Sequence, residues 1–168
     1  MPVRPLPAIP SGTPILIDAN IFIYTASAQS AECETLLERC AKEEVIGVTT
    51  FEVLSEVCHR RMVAEAFEDG LITRESASAL RRKRDALARL RRYQAFIDEI
   101  LTISVLPLEL DEARFKRSSV LRSRYGLLTN DSLILAAADL YGIEALATLD
   151  EDFDAVPWLT IYKPDDLR

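Results

Sequence analysis

The chain has 168 residues, of which 49% are hydrophobic and 28% are charged, so it can bury the core of one globular domain. No apolar run approaches the roughly 20 residues that cross a bilayer, and its three cysteines are too few and too scattered for a disulfide framework. The formal net charge of −7 argues against a protein that holds nucleic acid through an overall positive charge, unless acidic and basic residues are segregated.

The N-terminal segment, residues 1–14, is rich in proline and lacks the apolar stretch of a secretory signal. We expect a flexible or extended arm that precedes one domain spanning residues 15–168. The domain is predicted to begin with a buried strand over residues 15–17, because a short apolar run there ends directly in Asp18.

The next segments are predicted to be two helices and a strand. A short helix is expected over residues 20–25 and a longer one over residues 31–43, where Cys33 and Cys40 share the apolar face. Buried free cysteines are typical of a reducing compartment, so we expect a cytoplasmic protein in which these thiols pack and bind no metal. A second strand is predicted over residues 45–49.

The middle of the chain is predicted to be mostly helical. A helix is expected from residue 51 to about residue 69, with a preceding threonine as its N-cap and Gly70 at its end. A long helical stretch is expected over residues 74–100, with Thr73 as its cap. Because this region is longer than a simple crossover between strands requires, we interpret it as a long helical insertion that projects from the sheet.

Strands and helices alternate again in the last third of the chain. Strands are predicted over residues 101–108, 144–149 and 159–162, and helices over residues 110–125 and 129–141. This alternation favours a mostly parallel sheet covered by helices on both faces. The expected fold is therefore a three-layer α/β/α domain with a mostly parallel sheet.

Four carboxylates occupy suggestive places in these elements: Asp18 and Asp150 end strands, Asp131 opens a helix, and Glu56 lies within one. Ligands of open α/β sheets gather at the carboxyl ends of the strands, so we expect these acids to converge there. Hard divalent cations prefer oxygen ligands, and clustered carboxylates repel one another unless a cation lies among them. Such an ion can activate water for attack on a phosphodiester.

Each of these acids also has a purely structural explanation. Asp18 and Asp131 can cap or stabilise the helices that follow them, and Asp150 lies in an acidic turn. Glu56 can be a solvated helix residue, and Glu52, one turn earlier, competes with it for the same role. The joint pattern points to a metal site more strongly than any one acid does.

The order of these motifs resembles that of the PIN-domain nuclease family. Four segments carry the resemblance: ILIDAN at residues 15–20, VTTFEVLSEV at 48–57, NDSLILAAA at 130–138 and LATLDEDF at 146–153. Each motif alone is weak, but all of them follow in register, each at the expected kind of element, over nearly the whole chain.

The resemblance implies a PIN-like fold with a mostly parallel sheet of four to five strands. It also implies a ribonuclease that hydrolyses RNA phosphodiester bonds with water activated by Mg²⁺ or Mn²⁺. The catalytic and metal-binding acids that it implies are Asp18, Glu56, Asp131 and Asp150, with Asp152 as a further metal ligand. Asp154 is a weaker candidate than Asp152 for that extra place. Asn20 and Thr148 are expected to orient ligands or water through hydrogen bonds.

The resemblance also implies partners. Many family members are VapC-type toxins of type II toxin–antitoxin pairs, often dimeric and inhibited by a cognate antitoxin. We therefore expect RNA as the substrate, an antitoxin protein as a partner, and a homodimer. The helical region over residues 60–100 is longer than in compact toxin members, and it sets this chain apart from them.

Basic side chains cluster within the predicted helical insertion, and we expect some of them to hold RNA phosphates. The RNA-contact candidates are Arg81, Arg82, Arg84, Arg89 and Arg92. A solvated helix face, or a surface for an antitoxin or a second copy, explains the same cluster equally well.

Two other functions fit part of the pattern. A catalytically inactive PIN-like module that binds only RNA or protein would keep the fold, although it would have no need of clustered acids. A phosphohydrolase of the haloacid-dehalogenase-like kind would use Asp18 as a nucleophile, but its first motif has Asp where this chain has Asn20. His59, three residues after Glu56, is expected to be a packing or surface residue rather than a proton donor.

Overall fold

A parallel sheet forms the centre of the computed structural model, which describes residues 3–167. Over those residues the sheet has six strands: β1 (Val3–Pro5), β2 (Pro14–Ile17), β3 (Ile46–Thr50), β4 (Leu106–Leu108), β5 (Ala145–Ala147) and β6 (Thr160–Lys163). Their order is β1-β6-β5-β2-β3-β4, and every neighbouring pair is parallel. The predicted α/β class is confirmed, with one strand more than expected.

Helices connect the strands and pack against the sheet. Over the same residues they are α1 (Ala19–Ala26), α2 (Ala31–Ala41), α3 (Phe51–Glu68), α4 (Ala77–Arg81), α5 (Arg84–Leu87), α6 (Arg92–Thr102), α7 (Glu112–Tyr125) and α8 (Thr129–Tyr141). The main core includes the central strand β2, where Ile15, Leu16 and Ile17 have no solvent exposure. None of the helices within residues 3–167 has the length and apolarity needed to cross a bilayer.

Side-chain caps and glycines set the ends of the long helices. Thr50 caps α3, because its Oγ1 accepts a hydrogen bond from the Val53 N–H at 3.3 Å. Asp111 caps α7 in the same way. Gly126 and Gly142 end α7 and α8 with φ angles of 73° and 64°, a left-handed conformation that glycine adopts without strain. These ends lie close to the predicted positions.

The two buried cysteines pack α2 onto the sheet. Cys33 and Cys40 have no solvent exposure, as predicted, and burial raises the pKa of both thiols to about 11. Cys40 lies so close to β3 that a Cβ added at Gly47 would meet its Sγ at 2.8 Å. Both thiols therefore stay protonated at neutral pH and act as small apolar groups.

The proline-rich segment contributes a strand where a flexible or extended arm was expected. Val3–Pro5 form β1, which pairs with β6 at the edge of the sheet. Leu6 and Ile9 then enter the core, each with 2% exposure. An edge strand tolerates proline because its outer side needs no backbone donors. Residues 1 and 2 of the expected arm lie outside the described residues.

The helical insertion is not the continuous helix that its composition predicts. Residues 74–100 contain the short helices α4 and α5 and most of α6. Ser76, rather than Thr73, caps α4, because its Oγ accepts from the Ala79 N–H at 3.3 Å. Buried apolar residues of this region and of α3 form a small core of their own: Val63, Ala66, Ile72, Leu80, Ala86 and Leu90.

The strand expected over residues 101–108 is also shorter than predicted. Helix α6 continues to Thr102, and only Leu106–Leu108 form β4, which pairs with β3. The apolar run Leu101 to Leu108 contains both the end of a helix and a strand, and an apolar run alone does not distinguish the two.

Candidate active site

Asp18 and Thr148 lie side by side at one edge of the sheet, where β2 and β5 end. The two strands pair with Ile17 opposite Ala147, and the Asp18 N–H donates to the Ala147 carbonyl oxygen at 3.0 Å. The residues that follow the two strands therefore meet, although 130 positions separate them in the chain.

The Asp18 carboxylate is nearly buried and is held by three donors. The Ala19 N–H donates to Oδ1 at 2.6 Å, so Asp18 is also the N-cap of α1. The Thr148 hydroxyl donates to Oδ2 at 2.6 Å, and the Asn20 amide donates to the same oxygen at 2.7 Å. The orientation of this carboxylate is therefore fixed by its surroundings.

Asn20 and Thr148 extend these contacts to the segment that carries Asp150. The Asn20 amide donates to Thr148 Oγ1 at 3.2 Å, and its Oδ1 accepts from the Leu149 N–H at 3.3 Å. The Asp150 N–H donates to Thr148 Oγ1 at 3.0 Å. These two polar residues thus tie the ends of β2 and β5 together, and their role in orienting ligands stays a prediction.

Burial and neighbouring acids raise the pKa of Asp18. Burial is the largest cause, and the hydrogen bonds from Thr148 and Ala19 oppose it. The carboxylates of Glu56 and Asp150 raise the pKa further by repulsion. Glu56 on α3 therefore lies within electrostatic reach of Asp18 at the end of β2.

Burial also raises the pKa of Asp131, which lies in the first turn of α8. The carboxylates of Asp150, Asp152 and Asp18 add to the increase. These acids, together with Glu56, lie in one neighbourhood. We refer below to Asp18, Glu56, Asp131, Asp150 and Asp152 as the acid cluster.

The donor chemistry of the acid cluster fits a hard divalent cation. The charged groups that raise the pKa of Asp18 and Asp131 are all carboxylates, and an ion bound among them would relieve that repulsion. As the side chains stand, no group of three or more His, Cys, Asp or Glu residues within residues 3–167 could enclose one ion. Binding would therefore require carboxylates to turn toward the ion.

Glu52 and Glu56 have different environments on the same helix. Glu52 forms an ion pair with Arg114, whose side chain is 1% exposed and also donates to the Leu108 carbonyl oxygen at 3.2 Å. Glu56 is about 39% exposed, with the Arg60 guanidinium 3.9 Å away. Because Glu52 is occupied by a buried cation, the structure favours Glu56 as the acid that faces the cluster.

The carboxylates of the acidic turn after β5 also differ in their environments. The Asp150 carboxylate accepts from the Asp152 N–H at 2.9 Å and caps the 3₁₀ turn Glu151–Ala155. Asp152 acts on the pKa of Asp131, whereas Asp154 lies 3.6 Å from the Lys163 ammonium. This arrangement favours Asp152 over Asp154 as a further ligand. The roles of all these residues in activity remain predictions.

An open groove of about 580 Å³ adjoins the acid cluster. It is lined by Phe51, Glu52, Ser55, Glu56, His59 and Asn130. Glu56 belongs to both features, and Asn130 immediately precedes Asp131 in the chain. His59 is exposed and lines this groove, so its expected role as a packing or surface residue rather than a proton donor stays a prediction.

Sequence reasoning missed several residues that shape this site. Phe51, Ser55 and Asn130 line the groove, and Arg114 holds Glu52 from α7. Asn130 directly precedes Asp131 in the sequence, and this position next to a predicted metal ligand could have identified it as a residue of the site. No sequence signal links Arg114 to Glu52, because their contact spans 62 positions and depends on how α7 packs.

The basic residues of the insertion fall into two groups. Arg81, Arg82, Arg84 and Arg89 are exposed on and around α4 and α5. Arg92, by contrast, pairs with Glu68 at 2.9 Å and Asp69 at 2.8 Å. Arg92 is therefore engaged in tying α6 to the end of α3, and the first four residues remain the better candidates for RNA contact.

Comparison with known sequences places this arrangement in a family. A sequence model of the PIN domain family matches residues 15–159. The VapC ribonuclease Mb1869c of Mycobacterium bovis is 28% identical over 148 residues, which cover 85% of this chain and 95% of that protein. Ribonuclease VapC2 of Methanocaldococcus jannaschii is 28% identical over 149 residues, which cover 89% of this chain and 93% of that protein.

Solved structures share the same fold. VapBC2 from Rickettsia felis, bound to a DNA fragment from its promoter, superposes with a TM-score of 0.61 at 20% identity, covering 91% of this chain and 100% of that one. A toxin–antitoxin complex from Klebsiella pneumoniae gives a TM-score of 0.57 at 22% identity, covering 87% and 95%. At these identities the likeness supports the fold alone. With the family match over residues 15–159, it follows that this chain belongs to the PIN domain family.

Proposed function

We propose that this protein is an endoribonuclease that depends on Mg²⁺ or Mn²⁺ and acts through the acid cluster. The observation that carries the proposal is the set of acids from separate elements near the ends of β2 and β5: burial raises the pKa of Asp18 and Asp131, and the neighbouring carboxylates raise it further. Carboxylates that lie close together lower the stability of the folded protein. A divalent cation bound among them would offset their repulsion. The 28% identity to VapC ribonucleases over most of the chain supports RNA as the substrate.

Each part of the site has a distinct role in this proposal. Asp18, Glu56, Asp131 and Asp150 would hold the ion, with Asp152 as a further ligand. Asn20 and Thr148 would hold the Asp18 carboxylate in a fixed orientation through hydrogen bonds of 2.7 and 2.6 Å. When bound, the ion supplies positive charge that offsets the phosphodiester and favours deprotonation of the attacking water.

A cleavage assay tests the proposal. Single-stranded RNAs of mixed sequence are incubated with the protein and Mn²⁺, with and without chelator, beside Asp18→Asn and Asp131→Asn. We expect cleavage that chelator abolishes and that each variant lowers by a factor of about 100 or more, since loss of a ligand removes both charge and geometry. Asp98→Asn is the matched control, because Asp98 is exposed on α6 and should leave activity unchanged.

The outcomes separate this function from an inactive binding module. Cleavage that persists in chelator, or in both site variants, contradicts the metal-dependent mechanism. RNA binding without any cleavage, over a broad set of RNAs, would instead indicate the catalytically inactive PIN-like module.

We also propose that the protein is the toxin of a toxin–antitoxin pair. Its relatives include VapC ribonucleases, and its structural neighbours include a VapBC2 assembly and a toxin–antitoxin complex. An apolar cleft of about 470 Å³ between α3 and the α4–α5 region, with Met62, Leu80 and Leu87 in its lining, suits apolar side chains of a protein partner. A homodimer is part of the same proposal, and light scattering on the purified protein tests it.

Co-expression tests the antitoxin proposal. We expect the product of the adjacent reading frame to co-purify with this chain and to suppress its RNA cleavage, and we expect Met62→Glu to weaken the complex. A product that neither binds nor inhibits contradicts the pairing, without affecting the ribonuclease proposal.

A further inference from the structure

We infer that the groove beside the acid cluster binds one unpaired RNA base next to the bond that is cut, and that it prefers guanine. This inference rests on the proposed ribonuclease function and adds a substrate preference to it. The juxtaposition that carries it is an exposed aromatic ring and a carboxylate fixed by a buried cation in one groove, whose lining also includes Glu56 of the acid cluster.

The groove is large enough to admit a base, and it lies beside the acid cluster. Its volume of about 580 Å³ falls within the range of roughly 300–1,000 Å³ that is usual for small-ligand sites. Glu56 belongs to both the groove and the acid cluster, and Asn130 in the groove directly precedes Asp131. A nucleotide in the groove would therefore adjoin a phosphate at the acid cluster.

Phe51 supplies a surface for stacking. It is the first residue of α3, and 46% of its surface is exposed although it is a large apolar residue. Unpaired bases stack on exposed aromatic rings, whereas bases within a duplex do not present their faces. A ring in this place favours single-stranded RNA over double-stranded RNA.

The two glutamates of the groove determine which part of a nucleotide enters it. A carboxylate repels phosphate and accepts hydrogen bonds, so the groove suits a base edge with N–H donors and not the backbone. Glu52 is the fixed acceptor, because Arg114, itself 1% exposed, holds it from the buried side. Asn130 and Ser55 add adaptable polar groups to the lining.

The chemistry of the base edges then favours guanine. Its Watson–Crick edge presents the N1–H and an N2–H side by side, and this pair matches the two oxygens of a carboxylate. Uracil presents a single N–H between two carbonyl oxygens, which a carboxylate repels. Adenine and cytosine each present an amino group beside an acceptor nitrogen. Guanine is thus the base that makes two hydrogen bonds to Glu52 without repulsion.

Binding and cleavage are measured separately to test this inference. Binding is measured with the Asp131→Asn protein and fluorescently labelled RNA pentamers that carry G, A, C or U at one position in an otherwise uniform strand. We expect the guanine pentamer to bind most tightly. We expect Phe51→Ala to weaken its binding roughly 5-fold or more, as loss of a stacked base does. Glu52→Gln should remove the preference for guanine.

The chain offers a matched control for the aromatic ring. Phe67 lies on the same helix and is 45% exposed, but it is outside the groove. Phe67→Ala should therefore bind all pentamers as the parent does. Thermal unfolding of each variant identifies any loss of fold, and Phe51→Ala, which removes no buried ion-pair partner, keeps the test open if Glu52→Gln is unstable.

Cleavage of a randomised RNA by the unmodified protein, with sequencing of the ends, supplies the second readout. Guanine enriched at one fixed position beside the cut supports the inference. Equal binding of all pentamers, equal loss in Phe51→Ala and Phe67→Ala, or cleavage without enrichment of guanine overturns it while the ribonuclease proposal stands. Binding that prefers guanine, without any cleavage, would instead support the base site and contradict the proposed ribonuclease function.

Discussion

Thr148 shows how one buried hydroxyl organises the site. It donates to Asp18 at 2.6 Å and accepts from the Asp150 N–H at 3.0 Å, so its loss would affect two members of the acid cluster. We expect Thr148→Val to lower the free energy of unfolding by about 1–3 kcal/mol, because the Asp150 N–H loses its acceptor and Asp18 Oδ2 loses one of its two donors. Activity should fall by roughly 10- to 100-fold, as for residues that orient metal ligands.

Thr148→Ser is the control for this prediction, since it keeps the hydroxyl and loses one methyl group. Chemical denaturation and the RNA cleavage assay are the two measurements. If Val and Ser at this position give the same activity, the hydroxyl does not orient Asp18.

Asp131, a proposed metal ligand, is expected to lower the stability of the fold when it is charged. Its pKa is raised by burial and by Asp150, Asp152 and Asp18, so the folded state binds its proton more strongly than the unfolded state does. The charged carboxylate therefore destabilises the fold above its raised pKa, and the penalty disappears as the pH falls toward the ordinary value of 3.8.

Asp131→Asn should accordingly raise the Tm of the metal-free protein near neutral pH. Each kcal/mol of relieved repulsion is worth about 2–4 °C in a chain of this size. The difference from the parent protein should shrink toward about pH 4, and the exposed Asp98→Asn should show no such effect. Thermal unfolding across pH measures this, and a lower Tm for Asp131→Asn at neutral pH contradicts a repulsive cluster.

At the scale of elements, Glu65 joins α3 to α6. Its side chain is 2% exposed and accepts from the backbone N–H groups of Arg91 and Tyr93, each at 2.8 Å, at the start of α6. Burial alone would raise the pKa of Glu65, but these N–H donors outweigh it, and the pKa is lowered. The stabilisation is therefore complete above the ordinary value of 4.5 and is lost as the pH falls through the lowered value.

Glu65→Gln should lower the free energy of unfolding by about 1–3 kcal/mol at neutral pH, because an amide offers one acceptor oxygen where two N–H groups need one each. Glu99→Gln, on the exposed side of α6, is the matched control. Urea denaturation at neutral and acidic pH measures the difference, which should diminish as the pH falls below the ordinary value of 4.5. An equal effect of the two substitutions contradicts the capping role.

The sequence predicts those elements that a local residue pattern determines, and it misses those that depend on contacts between distant residues. Ile15 to Ile17 and Leu133 to Ala138 are apolar throughout and buried, and both elements were predicted from that pattern. The breaks between α4, α5 and α6 were not, because the residues there favour helix and tertiary contacts such as those of Glu65 interrupt it. The strand Val3–Pro5 was missed for a related reason, since its pairing with β6 depends on residues about 158 positions away.

In the candidate site, too, some positions follow from the local sequence and others depend on how distant elements pack. Asp18 and Asp150 follow strands and were placed at the sheet edge by a general rule of parallel sheets. The contact of Thr148 with Asp18 depends on the register of β5 against β2, and that of Arg114 with Glu52 on the packing of α7. Neither follows from spacing along the chain.

At the scale of the whole molecule, the net charge of −7 is the sum over a chain that has an acidic region and a separate basic region. Acids gather at the sheet edge, whereas the exposed Arg81, Arg82, Arg84 and Arg89 lie on the insertion. We expect these arginines to supply the electrostatic part of RNA binding. The logarithm of the RNA association constant falls linearly with the logarithm of the salt concentration. Replacing Arg84 and Arg89 by Ala should make this slope less steep by about 0.7 for each RNA phosphate that the protein no longer neutralises.

Arg92→Ala is the comparison for that measurement, because Arg92 already pairs with Glu68 and Asp69. Binding of single-stranded RNA to the Asp131→Asn protein is measured over a range of salt concentrations. A double variant whose slope equals that of the parent would show that RNA approaches from another face.

The location of bound Mn²⁺ tests the central claim most directly. Anomalous scattering from crystals soaked in Mn²⁺ should show an ion within about 2.0–2.6 Å of carboxylate oxygens from Asp18 and at least one of Asp131 and Asp150, the usual range for such ions with oxygen ligands. Absence of an ion among these carboxylates, at a Mn²⁺ concentration that supports RNA cleavage, would contradict the account.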